Sequence, residues 1–180
     1  MRFMIEQLED YGYQWIRSSH RSIPEQLVGL GIYLIMSFGF YLLHGWFIAF
    51  STGSLWVAKS IPFLPEGNGL ASPLMTLYFI FLSLSMWVLW RRTSLKRLKL
   101  ELSLFLSLLS LMALWSFSFF VLQESLLGLV SVLLASCTIV LTAILFWKKE
   151  RLASLLLSIP FFWVFYLSSL TMYVCTKAAS

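Results

Sequence analysis

Leu100–Leu122 reads Leu-Glu-Leu-Ser-Leu-Phe-Leu-Ser-Leu-Leu-Ser-Leu-Met-Ala-Leu-Trp-Ser-Phe-Ser-Phe-Phe-Val-Leu. Beyond Glu101 at its edge the stretch carries no charge, and it is long enough to cross a bilayer as one helix, which takes about 20 apolar residues. Its second half, Leu111–Phe120, is unusual for such a run. It holds Trp115, two serines and three phenylalanines where Leu, Ile and Val would suffice. A tryptophan far inside an apolar helix needs a partner for its indole N–H, or a cavity to face. Packing between helices is the commoner outcome on composition alone; lining a ligand pocket is the other.

Four more segments of the same kind flank this one. The 180 residues are 59% hydrophobic and 12% charged, against about 25% charged in a soluble domain, and mean hydropathy is +0.85. The expected fold is an all-α integral membrane protein, a bundle of five transmembrane helices. The spans are placed at about 27–50, 70–90, 100–122, 126–147 and 152–174. Residues 1–26 precede them as a cytoplasmic amphipathic segment, with Met4, Leu8, Tyr11 and Trp15 at helical spacing. Glu6, Glu9 and Asp10 stand where a signal peptide would be apolar. Ser22 and Glu25, with Pro24 between them, read as a capping box opening the first helix.

The loop 51–69 is broken by Pro62, Pro65, Gly67 and Gly69, yet it carries Trp56, Ile61 and Phe63. Such loops serve as lids or rest on the bilayer surface, and Phe63 is its candidate ligand contact. Eleven of the thirteen basic residues fall on the side of the N-terminus and the 91–99 and 148–151 loops; only Lys59 and Lys177 fall on the other. By the positive-inside rule the N-terminus is cytoplasmic and the C-terminus outside, in the inner membrane if the source is bacterial. The basic excess follows the membrane, and no nucleic-acid partner is expected. Trp46, Trp90 and Trp147 sit near span ends and read as interfacial anchors.

Acidic and basic side chains are absent from the middle of every span, which argues against an ion-coupled transporter or channel. Neither a nucleophile–base pair nor metal-ligand spacing is visible. Cys137 and Cys175 lie about 16 Å apart in depth, too far for a disulfide. His44 reads as an interfacial hydrogen-bonding group more readily than as a catalytic or haem-ligating one. Ser103, Ser107 and Ser110 share one face of the third span and read as a close-packing seam. Leu108, Met112, Trp115 and Phe119 share the opposite face, which suits a flat apolar ligand and suits a core equally. Counting from the cytoplasmic ends puts Trp163 within about 6 Å of the depth of Trp115, so both indoles are expected at one cavity. Pro160 leaves the Leu156 carbonyl without its helical partner and predicts a kink there.

In sequence order the motifs are Trp56-x-x-Lys59-x-x-Pro62-x-x-Pro65, then Pro73-Leu-Met-Thr-Leu-Tyr78, then Trp87 and Trp90-Arg91. Met112-Ala-Leu-Trp115-Ser116-Phe-Ser-Phe119-Phe120 follows, then Leu152-Ala-Ser-Leu-Leu, Pro160-Phe161 and Trp163. Together, over roughly residues 27–175, this series resembles the tryptophan-rich sensory protein/translocator protein (TspO/MBR) family, also called the peripheral benzodiazepine receptor family. The resemblance implies a five-helix bundle, often a homodimer, whose first loop caps a pocket for porphyrins, haem-pathway intermediates, sterols and aromatic drugs. It implies ligand-binding roles for Trp115, Trp163 and Tyr78, with Met112, Phe119, Phe161 and Phe63 completing the candidate set. No cofactor is required; a porphyrin or haem-pathway intermediate is the implied ligand. The implied function is binding, transport or sensing of flat hydrophobic molecules. The alternatives are a porphyrin-degrading enzyme and a structural subunit with no pocket. Four positions depart from the family pattern: Met112 and Thr171 stand for Asn, Ser131 for an acidic residue and Phe161 for Tyr. Each change is expected to remove a polar anchor and make the pocket greasier.

Overall fold

The computed structural model describes residues 22–51, 71–93 and 97–179. The lid loop with Phe63 and the N-terminal amphipathic segment lie outside the described residues. Six α-helices form five spans: α1 (Ile23–Ser51), α2 (Ala71–Trp90), α3 (Lys99–Ser116), α4 (Ser125–Lys149), and α5 (Arg151–Leu156) followed by α6 (Ser158–Ala179). Five helical stretches among the described residues are long and apolar enough to cross a membrane. The chain is an all-α five-helix bundle. Neighbour contacts run α1–α2, α2–α5/α6, α5/α6–α4, α4–α3 and α3–α1. The spans therefore close a ring in the order 1, 2, 5, 4, 3.

The distribution of side chains is that of a bundle in lipid. Large apolar residues such as Ile35, Trp46 and Phe162 stay exposed, while the buried stripe of α1 is Gly29, Tyr33, Ser37, His44 and Ser51. In water this would be inverted. In a bilayer, apolar outer faces cost nothing, and small and polar side chains turn inward to pack and hydrogen-bond.

Capping and local breaks set the helix limits. Ser22 N–H donates to Glu25 Oε2 at 3.0 Å and Glu25 N–H to Ser22 Oγ at 3.4 Å, so the capping box starts α1 at Ile23. The fifth span breaks at Leu157, three residues before Pro160. Leu157 N–H bonds back to Ser154 O at 3.0 Å, so the Ala153 carbonyl loses its helical donor. The Ser85 hydroxyl of α2 replaces it at 2.5 Å. Pro160 then falls in the first turn of α6, where an absent N–H costs little.

The loops at one end form a charged girdle. Arg92 pairs with Glu150 at 2.7 Å and Lys149 with Glu101 at 2.5 Å, and Lys149 Nζ also donates to the Arg97 carbonyl at 3.1 Å. Trp147 is half-exposed near this end, under the Arg151 guanidinium. Trp90 departs from its expected anchoring role. It is only 8% exposed, edge-on to Tyr33 at 6.1 Å, and its ring fills the space that a side chain on Gly29 would take. The glycine opposite it draws this tryptophan into the bundle.

Candidate functional site

Three residues lie at one depth near the end opposite the girdle. His44 is about 27 Å along α1 from Gln26, Trp115 about 24 Å along α3 from Lys99, and Thr171 about 30 Å from Arg151. Side chains join them. Trp115 is buried and donates its indole N–H to Thr171 Oγ1 at 3.0 Å. Thr171 in turn donates to Leu167 O at 2.7 Å, so its hydroxyl is used in both directions. The Trp115 ring stacks on His44 (centroids 5.7 Å apart, planes at 20°) and on Phe119 (5.5 Å, 17°), and it meets Phe120 edge-on at 5.7 Å. These are the separations and tilts that aromatic quadrupoles favour.

The backbone after Trp115 helps to build this cluster. Phe117–Val121 is a π-helical segment, with Leu122 N–H reaching back to Phe117 O at 3.0 Å. The wider turn leaves Ser118, Phe119 and Phe120 all buried in succession, and π segments of this kind recur at functional sites. Gly128 of α4 gives Phe119 and Thr171 their room: a methyl there would come within 3.3 Å of the Phe119 ring.

Met112, Tyr78 and Phe119, expected to line a pocket with Trp115, are fully buried among their neighbours, so the site is closed. Trp163 is buried too, but it stacks on Tyr166 at 5.5 Å. Thr171, the partner of Trp115, lies eight residues beyond Trp163, about 12 Å along the helix. By the same count Trp163 lies about 18 Å from Arg151, within about 6 Å of Trp115 in depth, but the side chain of the fifth span that bonds the indole is Thr171. Phe161 is partly exposed and packs on Phe162.

The serine face of α3 also differs from expectation. Ser103 and Ser110 are exposed, and with Ser107 they open onto an outward groove of about 740 Å³ shared with Leu134 and Thr138 of α4. The seam has no partner helix among the described residues.

The departures from the family pattern do not all remove polar anchors. Thr171 supplies the acceptor for Trp115. Ser131 spends its hydroxyl on its own helix, at Leu127 O and Gly128 O. Two site members were missed in the sequence. His44 is buried rather than interfacial, and its imidazole bonds the Met112 backbone while Nδ1 has no partner among the described residues. The small-and-polar stripe of α1 was the available signal for it. Phe79 touches Tyr41, His44 and Tyr78, and nothing in its sequence context marks it. Tyr78 OH, Ser118 Oγ and Trp163 Nε1 are likewise buried without a partner among the described residues. An unpaired buried group costs about 1–3 kcal/mol, so each of these is a place where a partner would be stabilising.

The sequence model of the TspO/MBR family matches residues 31–176. The chain belongs to the TspO/MBR family. A relative from Archaeoglobus fulgidus, described as "Tryptophan-rich protein TspO", is 27% identical over 139 residues, covering 77% of this chain and 88% of its own length. Membership makes the chain a multi-pass membrane protein of a sensing and transport family. The stretch matched by the family includes His44, Trp115 and Thr171.

Proposed function

We propose that this TspO/MBR protein binds flat, hydrophobic ring systems, porphyrins foremost and sterols among them, at the Trp115 site, and acts in their transport or sensing. The observation that carries the reading is the Trp115 cluster itself. An indole is fixed in orientation by Thr171 and stacked on His44 and Phe119, in a bundle with unspent polar atoms at His44 and Tyr78. A planar ligand inserted among these rings replaces protein stacking with its own. Its polar edges then offer partners to groups that now have none. Met112 keeps the wall apolar. A fully folded chain in nanodiscs, titrated with protoporphyrin IX, should red-shift the porphyrin Soret band saturably. Trp115→Phe should weaken that binding at least about tenfold, the loss of an anchored stacking partner and its bond. Equal binding by both proteins refutes the site. Steady loss of the porphyrin absorption in the same cuvette would reassign the protein to porphyrin breakdown.

Two finer readings accompany this one. The charged girdle faces the cytoplasm, so the Trp115 end faces outward; labelling of single cysteines at Thr93 and Lys177 in intact cells separates the two orientations. The serine groove on α3 and α4 is the surface for a homodimer, tested by cross-linking through Ser110→Cys.

A further inference from the structure

A second cavity, of about 280 Å³, opens on the lipid-facing side between α1 and α2. Ile35, Phe38 and Tyr41 line it from α1, and Thr76, Phe79 and Ile80 from α2. Ile35, Phe38 and Ile80 are exposed, so in a bilayer this cavity is filled from the hydrocarbon. Its inner wall is Phe79, whose ring meets Tyr41 of the groove at 5.8 Å and, on the protein side, Tyr78 at 5.0 Å and His44 at 6.4 Å. His44 stacks directly on Trp115. The path from lipid to Trp115 therefore crosses two rings in sequence, Phe79 and His44.

We infer that the α1–α2 groove is a lateral portal by which flat apolar molecules dissolved in the bilayer reach the Trp115 site, with the Phe79 ring as its gate. The inference rests on the function proposed above and adds a route to it. The fastening of α1 is uneven in the sense a portal needs. Its half near the girdle is pinned by Trp87 Nε1–H to Gln26 O at 2.8 Å, by the Gly29–Trp90 fit, and by Ser83 Oγ to Ser37 Oγ at 2.6 Å. Beyond Ser37, α1 meets α2 through the rings of Tyr41 and His44 on Phe79 and through a long hydroxyl contact, Thr76 to Tyr41 at 3.4 Å. Ring contacts slide and side chains re-rotamerise without leaving unpaired polar groups; broken buried hydrogen bonds do not. On its other side the far half of α1 is held to α3 and the π segment, by His44 on Trp115 and Met112 and by Phe47 on Phe117, so the opening is a turn of the Phe79 and Tyr41 rings at the α1–α2 seam, not a swing of the helix. A porphyrin or a sterol partitions into hydrocarbon, so an opening onto lipid meets it at high local concentration.

The test is kinetic. Tyr41→Cys/Thr76→Cys, in a chain whose Cys137 and Cys175 are replaced by Ser, is bridged with a bifunctional methanethiosulfonate in nanodiscs. Protoporphyrin IX association is then followed by stopped-flow fluorescence. Bridging is expected to slow association and dissociation together by at least about tenfold, leaving Kd within about threefold, and reduction restores both rates. Phe79→Ala, which removes the gate ring, is expected to speed association by about tenfold whatever it does to Kd. Undiminished association in bridged protein that still binds overturns the portal alone, as does Phe79→Ala with unchanged rates. Failure of the unbridged protein to bind at all overturns the function proposed above and the portal with it.

Discussion

The bond between Trp115 and Thr171 can be weighed on its own. Thr171→Val keeps the shape of the side chain and removes the oxygen that accepts the indole N–H at 3.0 Å. In a soluble core the unpaired N–H would cost about 1–3 kcal/mol. Inside a membrane the reference state also finds partners, and interhelical bonds average about 0.6 kcal/mol with a maximum near 1.7. Trp115 is 2% exposed, so no water or lipid headgroup replaces Thr171, and the upper part of that range applies. We expect Thr171→Val to destabilise the bundle by about 1–1.5 kcal/mol, read as a shift in the unfolding midpoint in mixed micelles. The decisive quantity is the double-mutant cycle. In a Trp115→Phe background no N–H remains to be stranded, so Thr171→Val should cost close to nothing there. A coupling energy below about 0.3 kcal/mol, within ordinary additivity error, would refute the claim that Thr171 anchors the indole.

Three further outcomes follow from the packing. Lys149→Met leaves the buried Glu101 carboxylate without its cation and should cost about 2–3 kcal/mol, less than a fully buried pair because Lys149 is 38% exposed; adding Glu101→Gln should recover most of it in the same micellar unfolding assay. Gly29→Ala places a methyl inside the Trp90 ring and should cost about 1–3 kcal/mol by overpacking, with Trp90 fluorescence shifted toward the exposed range. Gln123 holds φ at 59° at the tight turn between α3 and α4, so Gln123→Gly should raise the unfolding midpoint, by up to about 1 kcal/mol.

The five-span fold was legible because lipid imposes a length and forbids charges, and the start of α1 because Ser22–Glu25 carries a cap in its residue types. The inward face of α3 was legible for the same reason: Leu108, Met112, Trp115 and Phe119 share a side by spacing alone, and all four are buried. Which side chain of the fifth span meets Trp115 was not legible, since depth alone does not say which face of α6 turns toward α3: Thr171 makes the contact and Trp163 stacks on Tyr166. Burial was misread where it depends on the facing residue, as with Trp90 against Gly29. His44 looked interfacial because it lies near a span end; its place in the stripe of Gly29, Tyr33 and Ser37 would have turned it inward. The π segment at Phe117–Val121 has no residue signature. Thr171 was counted as a lost anchor because residue type alone does not say that a hydroxyl suffices to accept an indole N–H.

The most direct test of a flat-ligand site organised by Trp115 is tryptophan-fluorescence quenching by protoporphyrin IX in wild type, Trp115→Phe and Trp163→Phe, each reconstituted in nanodiscs. The account predicts saturable quenching in wild type, a sharp loss of both amplitude and affinity in Trp115→Phe, and a smaller change in Trp163→Phe. Absence of saturable quenching in wild type, or the same curve for wild type and Trp115→Phe, contradicts it.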